Sequence, residues 1–334
     1  MKRCLLPILA GALALSSCGE SLPPFDQATA LELSVSGEKA FSHVKAFVEM
    51  GPRPAGSDAI EKSRVYIEEQ LASSGWEVKR QTFSAKTPDG EKEFINLRAR
   101  FKGTSWEKGV AGLLCSHYDT KLFGGFDFVG ANDGASSTGL LIELGRVLSE
   151  KPALASRIEL VFFDGEEAFG PNITPRDGLY GSKHYASEMV LLKGELRPRW
   201  GLLLDMVGDA ELNIRAGVMV PRPPLQAMKS DGKEQKEHVN HEAIKQARDV
   251  MARQLLQAAK DLDLRNFVGI SPDYITDDHV PLNVSAGIPA IDLIDFDYPY
   301  WHTPADTIDK LDPRSLEVTG RITLQLVEKY LMAP

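Results

Sequence analysis

Seven residues whose side chains bind metals or carry protons follow short apolar runs in this 334-residue sequence. They are two histidines and five carboxylates: His117, Asp119, Asp133, Glu166, Glu167, Asp205 and His302. Each one alone is a weak signal, because an acidic residue after a strand is usually a helix cap or a solvated loop residue. Together they would crowd negative charge at one sheet edge, which is costly unless a cation offsets the repulsion. Histidine with carboxylates is a typical ligand set of catalytic zinc, so the set predicts a metal site.

Two pairs within this set have informative spacing. His117 and Asp119 lie two residues apart, so in a strand they point to the same side and Asp119 can hold the tautomer of the imidazole. Glu166 and Glu167 are adjacent and point in opposite directions if the chain is extended. One glutamate can then bind the metal while the other faces the substrate and carries a proton.

The apolar runs before these residues are typical of strands in an α/β fold. Four runs end in acidic or imidazole residues: GVAGLLCSHYD, RIELVFFD, WGLLLDMV and IPAIDLIDF. They alternate with helix-period segments, which predicts a single domain with a mixed, mostly parallel central sheet and helices on both faces. Helices are expected at 57–76, capped by Ser57, and at 136–150. Ligands of such sheets bind outside the carboxyl ends of the strands, where the predicted metal site lies.

Composition and motif content exclude several classes of protein. The chain has 38 Lys and Arg against 47 Asp and Glu, a formal net charge of −9, and no basic stripe that would bind a nucleic acid. Hydrophobic residues make up 43% and charged residues 25%, which is ordinary for a globular protein. No G-x-S-x-G elbow, phosphate-binding loop, G-x-G-x-x-G turn or C-x-x-C pair occurs. These absences disfavour serine hydrolases, nucleotide-binding enzymes and thiol oxidoreductases.

The start of the chain resembles an export signal with a lipidation site. Two basic residues precede the apolar run LPILAGALAL, which is too short for a bilayer span of about 20 residues. LSSC follows this run, so we expect residues 1–17 to be a lipoprotein signal peptide and Cys18 to carry the lipid. An ordinary cleaved signal peptide is the alternative.

This interpretation sets the expected organisation of the mature chain. Residues 18–35 would form a tether and residues 36–334 one catalytic domain, held at a bacterial membrane on its periplasmic or cell-surface side. With Cys18 lipidated, Cys115 has no partner, so no disulfide framework is expected despite the oxidising compartment. The oligomeric state is left open by the sequence.

Longer motifs resemble those of one group of enzymes. The sequence is similar to the zinc-dependent aminopeptidases of the bacterial leucyl-aminopeptidase kind and, more closely, to their relatives the glutaminyl cyclases. The similarity runs from MGPRPAGSDA at Met50 to YWHTPADTIDKLDP and so covers nearly the whole mature chain. The most specific segments are, in order, DGEEAF, DGLYGSKH, DDHVP and WHT. The resemblance implies a zinc-aminopeptidase-like fold and a cyclase that converts N-terminal glutamine of peptides into pyroglutamate with release of ammonia.

Residue roles are carried over from the same motifs. The resemblance makes three residues the ligands of one zinc ion: Asp133, Glu167 and His302. It makes Glu166 the general acid and base, while Asp278 handles the amine of the substrate. It places Trp301 in the substrate pocket, against the small side chain; the alternative is a core tryptophan.

Alternative functions stay open at this point. His117 and Asp205, with Asp119 beside them, match positions that complete a second metal site in the aminopeptidases. A two-zinc aminopeptidase that removes N-terminal residues is therefore the second hypothesis, and a catalytically silent binding module is the third. The sequence departs from the animal cyclases at three positions, with Asn172 in place of a tryptophan, Asp292 in place of a histidine, and Cys115 without a disulfide partner.

Overall fold

Residues 31–220 and 239–332 are described by the computed structural model of the chain. The expected signal peptide, Cys18 and most of the expected tether lie outside these ranges. An eight-stranded sheet runs through the described part, and its strands are β1 (Trp76–Thr87), β2 (Gly90–Phe101), β3 (Gly112–His117), β4 (Ile158–Phe163), β5 (Trp200–Asp205), β6 (Ile214–Gly217), β7 (Val268–Ile270) and β8 (Ala290–Ile294). Their spatial order is β1-β2-β4-β3-β5-β8-β6-β7.

The sheet is mixed, as the sequence predicts. Strands β4, β3, β5 and β8 are parallel neighbours, and β6 pairs with β7 in parallel. The remaining pairings, β1 with β2, β2 with β4 and β6 with β8, are antiparallel. The carboxyl ends of the four central parallel strands therefore meet at one edge of the sheet.

Helices cover both faces of this sheet. They are α1 (Gly37–Met50), α2 (Asp58–Ser73), α3 (Ser137–Leu148), α4 (Pro152–Ala155), α5 (Tyr180–Met189), α6 (His241–Asp261), α7 (His279–Pro281) and α8 (Pro313–Leu326). Helix α2 begins after Ser57, whose side chain accepts a hydrogen bond from the Ile60 N–H, as the capping pattern predicts. The two helices expected from the sequence, at 57–76 and 136–150, are confirmed to within three residues.

Alternation along the strands divides the core into two layers. In β3, Leu114 belongs to the layer under α1, α3 and α8, whereas Leu113 and Cys115 belong to the layer under α5. Because successive side chains of a strand point to opposite faces, all-apolar strands are needed where both faces are covered. This is why the four runs recognised in the sequence are almost uniformly hydrophobic.

No helix in the described ranges is both long and apolar enough to cross a membrane. Cys115 is fully buried and is the free cysteine among the described residues.

Candidate active site

The two neighbouring strands β3 and β5 bring a histidine and an aspartate together. His117 is the last residue of β3 and Asp205 is the last residue of β5. Because these strands are parallel neighbours, their final side chains meet, and His117 Nε2 lies 3.1 Å from Asp205 Oδ1. Both side chains are buried.

Asp133 reaches the same place from the turn that leads into α3. Its backbone (φ −78°, ψ 100°) is not helical, and the next residue, Gly134, has φ +88°. A Cβ atom at Gly134 would lie 2.8 Å from the carbonyl oxygen of Asp119 and 3.0 Å from the His117 ring. Glycine is therefore required here both by the positive φ and by the close approach of the β3 loop.

The carboxylate of Asp133 lies between two histidines. Its Oδ1 is 3.3 Å from His117 Nε2, and its Oδ2 is 3.3 Å from His302 Nε2. His302 Nε2 is also 3.2 Å from Glu167 Oε1. These distances define two groups of possible metal ligands that share Asp133: His117, Asp133 and Asp205 form one, and Asp133, Glu167 and His302 form the other.

The second of these groups fits zinc. Within each group the possible ligand atoms all lie within 4.8 Å of one another, and they are the nitrogen and carboxylate oxygen donors that zinc prefers. Asp133 Oδ2 is buried and has no hydrogen-bond partner among the described residues. Because buried polar atoms normally have partners, this oxygen is available to bind a cation. Burial alone would lower the pKa of His302, but the adjacent carboxylates of Asp133 and Glu167 raise it to about 9. The imidazole is therefore surrounded by negative charge that a dication can neutralise.

His302 has an unusual backbone for a non-glycine residue, with φ +55°. Such left-handed conformations cost free energy and persist where the surrounding structure requires them. Here the conformation turns the imidazole toward Asp133 and Glu167 while Trp301 remains outside. The Trp301 and His302 rings are stacked, with centroids 4.1 Å apart.

The two glutamates do not lie in a strand, so the extended chain on which the expected opposed directions depended is not present. Strand β4 ends at Phe163, and both glutamates belong to the loop that follows it. The backbone of this loop is held by Asp119, whose Oδ1 and Oδ2 accept hydrogen bonds of 3.1 and 3.2 Å from the N–H groups of Glu166 and Glu167.

Asp119 also lies beyond its strand, because β3 ends at His117. Its Oδ1 is nevertheless 3.5 Å from His117 Nδ1, close enough for the electrostatic support that the spacing predicts. The sequence analysis predicts Asp119 as a support of the imidazole, whereas its hydrogen bonds in the structure go to the glutamate loop.

Glu166 has the environment of a proton carrier. Burial raises its pKa well above the ordinary value, and the negative charges of Asp277 and Glu167 raise it further. Glu167 lies next to it but has cationic partners, since His302 is 3.2 Å and Lys121 Nζ 3.5 Å away. The adjacent carboxyls are therefore chemically distinct, and Glu166 is the one free to exchange a proton.

In the acidic pair of TDDH, the structure does not support the role in binding the substrate amine that the resemblance implies for Asp278. Asp277 lines the cavity that contains the possible metal ligands, whereas Asp278 does not. Asp278 is fully buried, and burial raises the pKa of its carboxyl to about 7, with the nearby Ser182 hydroxyl opposing this shift. The side chain able to meet a substrate amine is therefore that of Asp277, which the sequence analysis did not select.

A cavity of about 790 Å³ opens beside the possible metal ligands. Seven carboxylates line it, from Asp133, Glu166, Glu167, Asp205, Asp273, Asp277 and Asp297. Four of its lining residues are large apolar side chains that are more than a third exposed: Ile270, Tyr274, Phe296 and Trp301. The cavity therefore has an acidic interior, suited to an amine, and an apolar mouth. Trp301, at 40% exposed, is not a core tryptophan.

Two further residues that the sequence analysis missed position this site. Asp306 accepts hydrogen bonds from the N–H groups of Asn132 (2.8 Å) and Asp133 (3.1 Å), and Tyr298 donates its hydroxyl to the same carboxylate (2.7 Å). Arg53, fully buried, donates to the carbonyl oxygens of the segment just before Asp133. Both lie inside motifs already noted, GPRPAG and WHTPAD, where position alone did not reveal their contacts.

The three departures from the animal cyclases fall in different places. Asn172 lines the cavity, so it affects the pocket directly. Asp292 is fully buried, with its Oδ2 3.8 Å from His279 Nδ1. Burial raises the pKa of Asp292 well above the ordinary value, and the charge of Asp277 adds to the shift. Cys115 lies in the core.

Known proteins resemble this chain over most of its length. The model of peptidase family M28 matches residues 96–327. A glutaminyl-peptide cyclotransferase-like protein of Mus musculus is 31% identical over 298 residues, which cover 84% of this chain and 72% of that protein. The crystal structure of an Acidobacteriales bacterium glutaminyl cyclase matches with a TM-score of 0.67 and 30% identity, over 88% of this chain and 94% of that one. A Zn-dependent exopeptidase from Parabacteroides distasonis shares the fold, with a TM-score of 0.70 at 24% identity over 88% and 98% of the two chains.

Proposed function

The chain belongs to peptidase family M28, and within this family we propose that it cyclises the N-terminal glutamine of peptides to pyroglutamate with release of ammonia. The observation that carries the proposal is the presence, in one acidic cavity, of the Asp133, Glu167 and His302 group beside the isolated carboxyl of Glu166. Cyclisation is favoured over peptide hydrolysis because relatives at least 30% identical to the chain, among them the Mus musculus protein and the Acidobacteriales bacterium enzyme, are named for it.

The reaction joins two ends of one residue. The α-amine nitrogen forms a bond to the γ-carbonyl carbon, the bond from that carbon to the amide nitrogen breaks, and the amide nitrogen leaves as ammonia. Asp133, Glu167 and His302 would hold the zinc, which supplies Lewis-acid polarisation of the γ-carbonyl when it is bound. Glu166 takes a proton from the attacking amine and returns it to the leaving nitrogen.

The remaining groups bind and orient the substrate. Asp277, on the cavity wall near Glu166, is placed to accept a hydrogen bond from the α-amine. Trp301 covers the site at its mouth and packs on the glutamine side chain, which folds the substrate so that amine and carbonyl meet. Holding the reacting atoms together in this way lowers the entropic part of the barrier.

We further propose that the functional enzyme holds one zinc ion. The specific observation in favour of the alternative, a two-zinc aminopeptidase, is the second possible ligand group, His117, Asp133 and Asp205. In the one-zinc enzyme His117 and Asp205 instead support Asp133, through the 3.3 Å contact between His117 Nε2 and Asp133 Oδ1. Elemental analysis, together with the number of zinc equivalents that restores activity after chelation, distinguishes the two enzymes.

We also propose that the mature enzyme is attached to a bacterial membrane through lipid on Cys18. The support is the sequence LSSC after an apolar run with a basic start. Replacement of Cys18 by Ser should release the protein from the membrane fraction or block its processing. Unchanged membrane association of the Cys18→Ser variant would overturn this proposal.

The activity is tested by measuring ammonia released from a peptide that begins with glutamine, against the same peptide beginning with leucine. The proposal expects ammonia from the first peptide alone, and loss of that ammonia in the Glu166→Gln variant. Release of the N-terminal residue from both peptides would favour the aminopeptidase.

A further inference from the structure

One cationic side chain in the cavity has no part in the chemistry proposed above. Arg215 lines the same cavity as Glu166, Asp277 and Trp301. It lies in β6, outside every motif that the sequence analysis selected. Its guanidinium therefore lies in the cavity that would receive the substrate, where it could bind part of that substrate.

The direction of the Arg215 side chain follows from the alternation of β6. Its neighbours Ile214 and Ala216 are buried in the hydrophobic core on one face of the sheet. Arg215 must therefore point to the opposite face, which is the side of the cavity. There its guanidinium lies across Gly269 of β7, because a Cβ atom built on Gly269 would be only 2.1 Å from Arg215 Nη1. The absence of a side chain at Gly269 thus makes room for the arginine.

The guanidinium of Arg215 is also free to bind a ligand, because no group in the described ranges is its hydrogen-bond partner. Among the described residues, the Arg215 guanidinium takes part in no hydrogen bond or ion pair, although Asp273 and Asp297 line the same cavity. Lys121, which also lines the cavity, already has protein partners. Its Nζ donates to the Ala168 carbonyl (2.6 Å) and contacts Glu167. Arg215 therefore offers a planar set of donors to whatever enters the cavity.

We propose that Arg215 binds an oxygen of the substrate peptide beyond its N-terminal glutamine, either the carbonyl of the second residue or, in a dipeptide, the terminal carboxylate. This inference rests on the proposed function, in which the amine end of the peptide lies among the carboxylates at the metal ligands. The rest of the peptide then leaves through the mouth of the cavity, past Phe296 and Trp301. Its main-chain oxygens need donors on the way, and Arg215 supplies them.

The test compares substrates that do and do not reach Arg215. Glutaminamide contains the reacting residue alone, Gln-Ala-amide adds a carbonyl, and the dipeptide Gln-Ala adds a carboxylate. We expect Arg215→Met to lower the ratio of kcat/KM for Gln-Ala-amide to that for glutaminamide about tenfold, the size of one charge-assisted hydrogen bond. A larger fall for Gln-Ala than for Gln-Ala-amide identifies the carboxylate as the preferred ligand, and equal falls identify the carbonyl.

Two more variants separate the position of the guanidinium from its presence. Gly269→Ala keeps the arginine but displaces it, so it should lower the same ratio. Arg253→Met removes an exposed arginine of α6 and should leave the ratio unchanged. An unchanged ratio in Arg215→Met, or an equal loss of kcat/KM for glutaminamide and the peptide, would overturn the inference. A parent enzyme that releases no ammonia from glutaminamide or from the peptides would instead refute the proposed function itself.

Discussion

The main-chain N–H of Glu166 donates a 3.1 Å hydrogen bond to Oδ1 of Asp119. The other oxygen of the same carboxylate accepts from Glu167, so one buried side chain fixes the backbone of both glutamates. Asp119 follows β3 and the glutamates follow β4, which are adjacent parallel strands. The proposed proton carrier and the proposed zinc ligand are thus held as one unit by the neighbouring strand.

Replacement of Asp119 by Asn should loosen this unit. An asparagine presents an N–H₂ group to one of the two main-chain donors, which leaves a buried N–H without an acceptor. We expect zinc affinity and turnover of Asp119→Asn to fall about 10- to 100-fold, as is usual when a group supporting a metal ligand is lost. Asp89→Asn, in the exposed turn between β1 and β2, is the control. Parent-like zinc affinity and turnover in Asp119→Asn would show that Asp119 does not position the glutamates.

The two glutamates should respond differently to the same substitution. Glu166→Gln keeps the shape of the side chain but removes the titratable group, so zinc content and folding should be retained while turnover falls about 10²- to 10⁴-fold. Glu167→Gln replaces an anionic ligand with a neutral one, so zinc affinity should fall and excess zinc should recover part of the activity. Zinc stoichiometry and turnover of both variants are the measurements. If Glu166→Gln loses the metal and Glu167→Gln keeps it, the assigned roles are reversed.

Substitutions of the neighbours Asp277 and Asp278 should have different effects, the first on activity and the second on stability. Asp277→Asn removes the carboxyl that faces the cavity and should raise KM for the peptide and lower turnover. Asp278→Asn changes a fully buried carboxyl and should affect catalysis much less. Steady-state kinetics of the two variants check this, and a larger catalytic loss in Asp278→Asn would restore the original assignment of that residue.

The stability effect of Asp278 should depend on pH. Burial raises the pKa of its carboxyl in the folded protein to about 7, so the folded state favours the protonated form. The stability that this group contributes is fully present below its ordinary pKa and is lost as pH rises through about 7. Asp278→Asn avoids this loss and should gain stability over the parent, on the order of 2–4 kcal/mol, between pH 5 and pH 8. Urea unfolding of both proteins with saturating zinc measures the difference, and a difference independent of pH would contradict it.

The central part of the fold was predictable because its periodicity is unambiguous. The four parallel strands are short apolar runs buried on both faces, and their polar ends mark the site directly. The hairpin of β1 and β2 was not predicted. After Trp76, β1 has no fully buried residue, and β2 buries residues 94–97 in succession, so neither strand has the alternation of buried apolar and exposed polar residues that predicts a strand. Strands β6 and β7 are four and three residues long, which is too short for a periodic signal.

The possible metal ligands could be selected from the sequence, whereas Asp306 and Arg53, which support them, could not. His117 and Asp205, two of the possible metal ligands, end strands, where their position alone indicates a role. Asp306 and Arg53 act through hydrogen bonds to main-chain atoms far away in sequence, for example the 174 residues between Asn132 and Asp306. The choice between Asp277 and Asp278 failed for a related reason, because adjacent residues in a loop have no fixed direction until the loop is built.

Asp306 offers a graded test of this support. Tyr298→Phe removes one hydrogen bond from the Asp306 carboxylate and should cost about 1 kcal/mol of stability with little loss of zinc. Asp306→Ala leaves the N–H groups of Asn132 and Asp133 without their acceptor, so it should lower both stability and zinc affinity more strongly. Thermal unfolding and zinc titration measure the two effects. Equal effects of the two substitutions would show that Asp306 does not position Asp133.

The mass of the product distinguishes cyclisation of N-terminal glutamine at this site from removal of the N-terminal residue. A peptide beginning with glutamine is incubated with the zinc-loaded enzyme, and the products are examined by mass spectrometry. We expect a single product that keeps every residue, lacks the mass of one ammonia and has no free α-amine. Free glutamine together with a peptide shortened by one residue would refute cyclisation and identify the enzyme as an aminopeptidase.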